Sequence, residues 1–99
     1  MRSKVSVEIE ISDHAFIRTK ERLGMDKRAA RRIALKAYVA GKKHGACKGR
    51  LKSYLDQVYR EYENCNNMRI WGEAIWLFAG NVLVTVYNIP HELKPLIKK

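Results

Sequence analysis

Over residues 5–11 the chain alternates without a break, with Val5, Val7, Ile9 and Ile11 on one side and Ser6, Glu8 and Glu10 on the other. A period of two belongs to a strand with one buried face and one wet face, so this segment is predicted to lie at or near a sheet edge. The period changes at Ser12. A helix is predicted from there to Leu23, capped by Asp13 or Ser12 and stopped by Gly24, with Phe16, Ile17 and Leu23 as its core contacts. Asp26 caps a second predicted helix running to about Gly41, whose inner face is drawn by Ala29, Ala30, Ile33, Ala34, Ala37 and Tyr38. Such small residues predict close packing. Beyond Gly45 and Gly49 a third helix is expected, with Leu51, Tyr54, Leu55, Val58 and Tyr62 as its stripe and the polar cluster of residues 63–67 as its end.

The last third reads as sheet. Residues 68–71, 74–79 and 82–89 are rich in β-branched and aromatic side chains, and Gly72-Glu73 and Gly80-Asn81 separate them as two-residue turns. Two tight hairpins in that register set Ile70 opposite Ile75 and Val86, and Met68 opposite Leu77 and Val84, on the side the helices cover. The other side then carries Arg69, Trp76 and Thr85 in one row, ringed by Trp71, Phe78, Leu83 and Tyr87. That face is either covered by the N-terminal helix or the tail, or it is a surface on which bases stack. Pro90 ends the last strand, and residues 91–99 read as a loosely held basic tail on a single domain whose core spans about residues 4–90. The expected class is α+β: an N-terminal strand and two to three helices packed on one face of an antiparallel four-stranded sheet.

Composition adds a partner. The 99 residues are 46% hydrophobic and 30% charged, which fits one folded domain, and the formal charge of +10 points to an anionic ligand, with nucleic acid ahead of a membrane surface or an acidic protein. Much of the charge sits on the second helix, at Lys27, Arg28, Arg31, Arg32 and Lys36, and continues through Lys42 and Lys43 in the connector. Lys48, Arg50 and Lys52 crowd the start of the third helix, the unfavourable end of its dipole, where an anionic ligand would offset the cost. Cys47, Cys65, His14, His44 and His91 show no ligand spacing, so no metal and no cofactor is expected. The longest strongly apolar run, residues 74–79, is far short of the roughly 20 needed to span a bilayer, and no signal-peptide core is present. A soluble cytoplasmic protein is expected.

The chemistry-bearing stretch is residues 12–22. His14, Arg18 and Arg22, four apart, form one helical stripe with Glu21 beside it, and His14 falls in the first turn, where the helix dipole favours a neutral imidazole. A neutral imidazole next to fixed guanidiniums suits phosphate chemistry. The same spacing is also that of an ordinary solvated helix.

The string His14-Ala15-x-x-Arg18-x-x-Glu21-Arg22 after a first strand, with the terminal block Val82-Leu83-Val84-Thr85-Val86-Tyr87-x-x-Pro90, resembles small proteins of bacterial and phage genomes. Those are grouped with the metal-independent ribonuclease superfamily of barnase, EndoU, colicin-type and RelE-type toxins. The resemblance implies helices followed by a four-stranded antiparallel sheet whose exposed face holds RNA. It also implies cleavage without metal, in which the ribose 2′-hydroxyl attacks the adjacent phosphate. Such chemistry needs a base, a cation for the phosphorane and an acid for the leaving oxygen. On this resemblance His14 is the base or acid, Arg18 and Arg22 clamp the phosphate, and Thr85 and Tyr87 supply polar contacts. The register argument adds Arg69 and Trp76 as RNA contacts beside Arg28, Arg31, Arg32, Lys36, Lys42, Lys43 and Arg50. The implied function is a toxin-type endoribonuclease on a mobile element, acting on RNA, free or ribosome-bound, with a cognate antitoxin or another acidic protein as its neutralising partner. Two rival readings are a non-catalytic nucleic-acid-binding module and a phage-encoded regulator or inhibitor.

Overall fold

The computed structural model describes residues 8–61 and 65–98. In chain order the elements are β1 (Glu10–Ile11), α1 (Asp13–Leu23), α2 (Lys27–Ala40), β2 (Lys42–Lys43), a 3-10 turn (His44–Ala46), α3 (Gly49–Glu61), β3 (Asn67–Trp71), β4 (Ala74–Ala79), β5 (Val82–Asn88) and a 3-10 helix (His91–Lys98). Residues 5–7 of the predicted first strand, Tyr62, Glu63 and Asn64 lie outside the described residues. Ser12, in extended conformation, accepts from the Ala15 N–H and caps α1, while Asp26 does the same for α2 through Ala29. Gly24, at φ 70°, closes α1 by returning its N–H to the Lys20 carbonyl, a conformation glycine adopts without Cβ strain.

The sheet departs from the four antiparallel strands expected. It has five strands in the order β1-β5-β4-β3-β2, and β1 runs parallel to β5. The added strand is the connector after α2, where Lys42 pairs with Ile70 and Lys43 with Arg69. Two residues are too short a run to carry a readable period.

The helices are divided between the two faces, where a single covered face was expected. On one face α1 and α2 bury Ala15, Ala34 and Ala37 against Ala74, Trp76, Phe78, Leu83 and Val86. On the other, Leu51, Leu55 and Val58 of α3 meet Met68, Ile70, Ile75, Leu77 and Ile89. Strands apolar on both sides are what a sheet enclosed by two layers needs. The segment after Pro90 closes the second layer: Leu93 is buried and Leu96 and Ile97 pack beside it, so these three residues dock it on the core where a loose tail was expected. Ile17, expected inside, is 54% exposed, because α1 turns Ala15 and Thr19 to the sheet.

The β3–β4 hairpin keeps the predicted register, with Met68 opposite Leu77 and Ile70 opposite Ile75. The β4–β5 hairpin keeps its two-residue turn, so that Ala79 faces Val82 and Phe78 faces Leu83, but the next pair is Leu77 with Thr85. Val84 is therefore an extra residue in a β-bulge. Beyond it every side chain changes face: Val86 joins the row Arg69-Trp76, while Thr85 and Tyr87 go to the α3 side.

Close approach limits the junction of α2 and β3. A Cβ built on Gly41 would overlap the Ala37 carbonyl oxygen and stand 2.9 Å from Arg69 Cβ. Gly41→Ala is expected to destabilise the fold by about 1–3 kcal/mol through this overpacking, read as a lower denaturation midpoint with an unchanged slope.

Candidate nucleic-acid interface

α1 lies chiefly against β5, and its inward residues Ala15, Thr19 and Leu23 leave Arg18 and Arg22 on the flank. Arg22 turns toward the sheet edge. Its Nη1–H donates to the Val86 carbonyl at 2.9 Å and its guanidinium stands 4.5 Å from the centre of the Tyr87 ring, while Asn88 Nδ2–H donates to the Arg22 carbonyl at 2.8 Å. β1 pairs only as far as Leu83, whose carbonyl accepts from Ser12 N–H, so the Val86 carbonyl is offered to a side chain. In an unbroken strand, carbonyls on one edge come from residues two apart, and the bulge at Val84 is what lets residues 83 and 86 share it.

Arg18 and His14 remain on the outer surface. Arg18 Nε–H donates to His14 Nε2 at 3.2 Å, and its Nη1–H donates to Glu21 Oε1 at 3.0 Å. The chain carboxylate, guanidinium, imidazole is thus linked through one arginine, and the imidazole nitrogen facing Arg18 serves as an acceptor.

The other predicted residues do not join this group. Thr85 is 1% exposed on the α3 side of the sheet, and its Oγ1 has no hydrogen-bond partner among the described residues. Trp76 is buried beneath α1 and α2 with its indole N–H on the Trp71 carbonyl at 3.0 Å, so it presents no face to a base. Arg69 shares its row but lies two strands from β5, about 10 Å away by strand spacing, held by the Asn67 side chain and the Gly41 carbonyl. Lys42 reaches across to the Ile97 carbonyl, Lys43 is exposed in the edge strand β2, and Arg50 is exposed on α3, in the opposite layer from α2.

The cations of α2 do form one surface. Lys27, Arg28, Arg31, Arg32 and Lys36 are all exposed, α2 contains no acidic residue, and Leu35 and Val39 stand exposed among them. Two of these cations converge on α1: Lys27 Nζ lies 5.3 Å and Arg31 Cζ 5.4 Å from the centre of the half-buried Phe16 ring. Sequence reading assigned Phe16 to the core. Its spacing from α2 depends on how the two helices cross, which no local pattern states.

The two thiols sit away from this surface, in the α3 layer. Burial pushes both Cys47 and Cys65 above the ordinary value of 9.0, with Lys42 and Lys52 opposing the rise at Cys47, and burial, then Tyr87 and Glu61, raises Tyr54. Among the described residues no group of three or more His, Cys, Asp or Glu is placed to hold a metal ion, and no helix is long and apolar enough to cross a membrane. No family model, no curated protein and no solved structure matches the chain.

Three outcomes follow from these contacts. Arg22→Ala removes a charge-assisted hydrogen bond and is expected to cost about 1–3 kcal/mol in urea unfolding. Thr85→Val, which replaces an unsatisfied hydroxyl by a methyl group of similar shape, leaves stability unchanged or raises it by about 1 kcal/mol. The buried thiols ionise at higher pH than unfolded ones. Their contribution is therefore complete below the ordinary thiol value and is lost as pH rises through the higher value of the folded state, so the urea midpoint falls as the pH is raised above 9.0.

Proposed function

We propose that the protein binds RNA along the outer surface of α1 and α2, as an RNA-directed member of the ribonuclease-like proteins it resembles in sequence. The observation that carries this reading is the run Arg28, Arg31, Arg32 and Lys36 on one fourteen-residue helix, exposed, without an acidic residue in that helix and without an ion pair among the described residues. Like charges so close repel one another, and the backbone of a polyanion relieves that repulsion while releasing its own counterions. The cations stand outside the alanine face, so they add nothing to the core that would otherwise account for them.

A cleaving form of the same reading is favoured by one contact set, the linked Glu21, Arg18 and His14. In that form Arg18 leaves His14 for the phosphate, and the freed Nε2 takes the proton of the ribose 2′-hydroxyl as its oxygen attacks the phosphorus and the 5′-oxygen leaves with a proton from water. Arg22, about two helical turns from His14, stays on the Val86 carbonyl beside Tyr87. The polar contacts of this form come from α1 and the β5 edge, without Thr85, Trp76 or Arg69. Metal ions take no part in it. An antitoxin or other acidic protein, in this picture, competes with RNA for the α2 cations.

Fluorescence anisotropy with a labelled single-stranded RNA in EDTA tests the proposal. Affinity is expected to fall steeply between about 50 mM and about 200 mM salt. The triple variant Arg28→Gln, Arg32→Gln, Lys36→Gln binds more weakly and lowers the slope of log affinity against log salt by about 2. A wild-type protein indifferent to salt, or a triple variant that matches it, defeats the reading. The cleaving form is separated on a gel: RNA incubated in EDTA is cut to 2′,3′-cyclic or 3′-phosphate ends by wild type, and stays intact with His14→Ala and Arg18→Ala.

A further inference from the structure

We infer that the open end of the β2–β3 ribbon holds a phosphate-binding pocket, in which the Lys43 ammonium and the side-chain amides of Asn66 and Asn67 donate to the oxygens of one phosphate group. The site draws on none of the α2 cations. Its starting point is a mismatch in the sheet. β2 and β3 are antiparallel and set Lys43 directly opposite Arg69, so two cations share one face of the ribbon at a spacing where like charges cost stability. Among the described residues neither side chain has an acidic partner. Arg69 is held instead by two neutral oxygens, its Nε–H donating to Asn67 Oδ1 at 2.9 Å and its Nη1–H to the Gly41 carbonyl at 3.1 Å.

The second observation is the direction of two amides. Asn67 Oδ1 is taken by Arg69, and Asn66 Oδ1 accepts from the Gly80 N–H at 3.0 Å. With both oxygens engaged, what each amide has left to offer is its Nδ2 donors, which have no partner among the described residues. The guanidinium on Asn67 Oδ1 polarises that amide and strengthens its remaining donors. Lys43, Asn66 and Asn67 line one shallow depression of about 210 Å³, with Tyr59 and the buried Met68 as its less polar wall and no carboxylate among the described residues that line it.

A depression whose lysine and amides offer protons selects a ligand made of acceptors. A nucleobase does not meet that description, since its edges mix donors with acceptors. A carboxylate is planar with two oxygens and suits the fork of a guanidinium, whereas three donors on three separate side chains suit the tetrahedral oxygens of a phosphate. The charge of a phosphate also offsets the repulsion between Lys43 and Arg69, so binding removes a cost built into the free sheet.

The test reads the amides themselves. Isotope-labelled protein is titrated by NMR with inorganic phosphate at constant ionic strength and, in a second arm, with a single-stranded RNA ending in a 5′-hydroxyl, which carries only diesters. The side-chain amide signals of Asn66 and Asn67 are expected to shift and saturate together. A response to inorganic phosphate alone assigns the pocket to a free phosphate or monoester, and a response to the RNA assigns it to a nucleic-acid backbone. Lys43→Gln weakens the response by about 10-fold. Asn67→Asp, which keeps an oxygen for Arg69 but exchanges the amide donors for a carboxylate, abolishes it and raises the urea midpoint by giving Arg69 a charged partner. Should Asn67→Asp not fold, Lys43→Gln, exposed on the edge strand, decides. The α2 triple variant keeps the wild-type response to inorganic phosphate, so failure of the α2 reading and failure of this one are told apart. Signals that stay in place in both arms, or an Asn66 signal that moves as far in the two pocket variants as in wild type, overturn the pocket.

Discussion

One extra residue in β5 decides what the rest of the molecule can be. Without the bulge at Val84, Thr85 would lie beside Trp76 under the α1–α2 layer and Val86 would face α3, the reverse of what is found. With it, Val86 joins Ala74, Trp76, Phe78 and Leu83 in the interior on the α1–α2 side, and the carbonyl of residue 86 is turned outward to a place where no strand pairs with it. Arg22 occupies that place. The arginine that would have been a free phosphate clamp is thereby committed to holding α1 against the sheet, with Asn88 closing the same joint from the strand.

That commitment redistributes the chemistry. A helix anchored by Arg22 presents His14, Arg18 and Glu21 outward as a unit, and it brings Phe16 under the first turn of α2. Two aromatic residues of the strands, by contrast, are consumed by the interior: Trp76 and Phe78 are buried, with Tyr38 of α2 set edge-on to Phe78 at 5.0 Å between ring centres, while Trp71 and Tyr87 stay half-buried.

Much of the local structure was legible. Ser12, Asp26 and Gly24 announce helix ends through hydrogen bonds made within a few residues, and the alanine spacing of α2 names its buried side correctly. The two glycine turns were legible for the same reason, since each is fixed by its own backbone torsions. What the chain did not disclose is non-local. The bulge is a choice between two registers that differ by one residue in a run of β-branched and aromatic side chains apolar on both faces, so hydrophobic pattern has nothing to select with. The move of Thr85 to the α3 side follows from that choice, while the burial of Trp76 follows from helices taking both faces of the sheet, and together these undo the composite site that paired them with His14. The parallel partner of β1, the two-residue β2 and the docking of residues 91–98 likewise depend on pieces far apart in sequence.

The three buried alanines of α2 have a consequence for how this protein can change over time. A helix seated on methyl groups lies close to its sheet and tolerates little alteration on that side, yet its outward Arg28, Arg32 and Lys36 stand exposed, outside the buried cluster. Exchange of one outward arginine for another residue alters what the surface attracts without disturbing how the chain collapses. Selection for a new ligand and selection for a stable domain can therefore proceed on the same helix almost independently, one on each side of it.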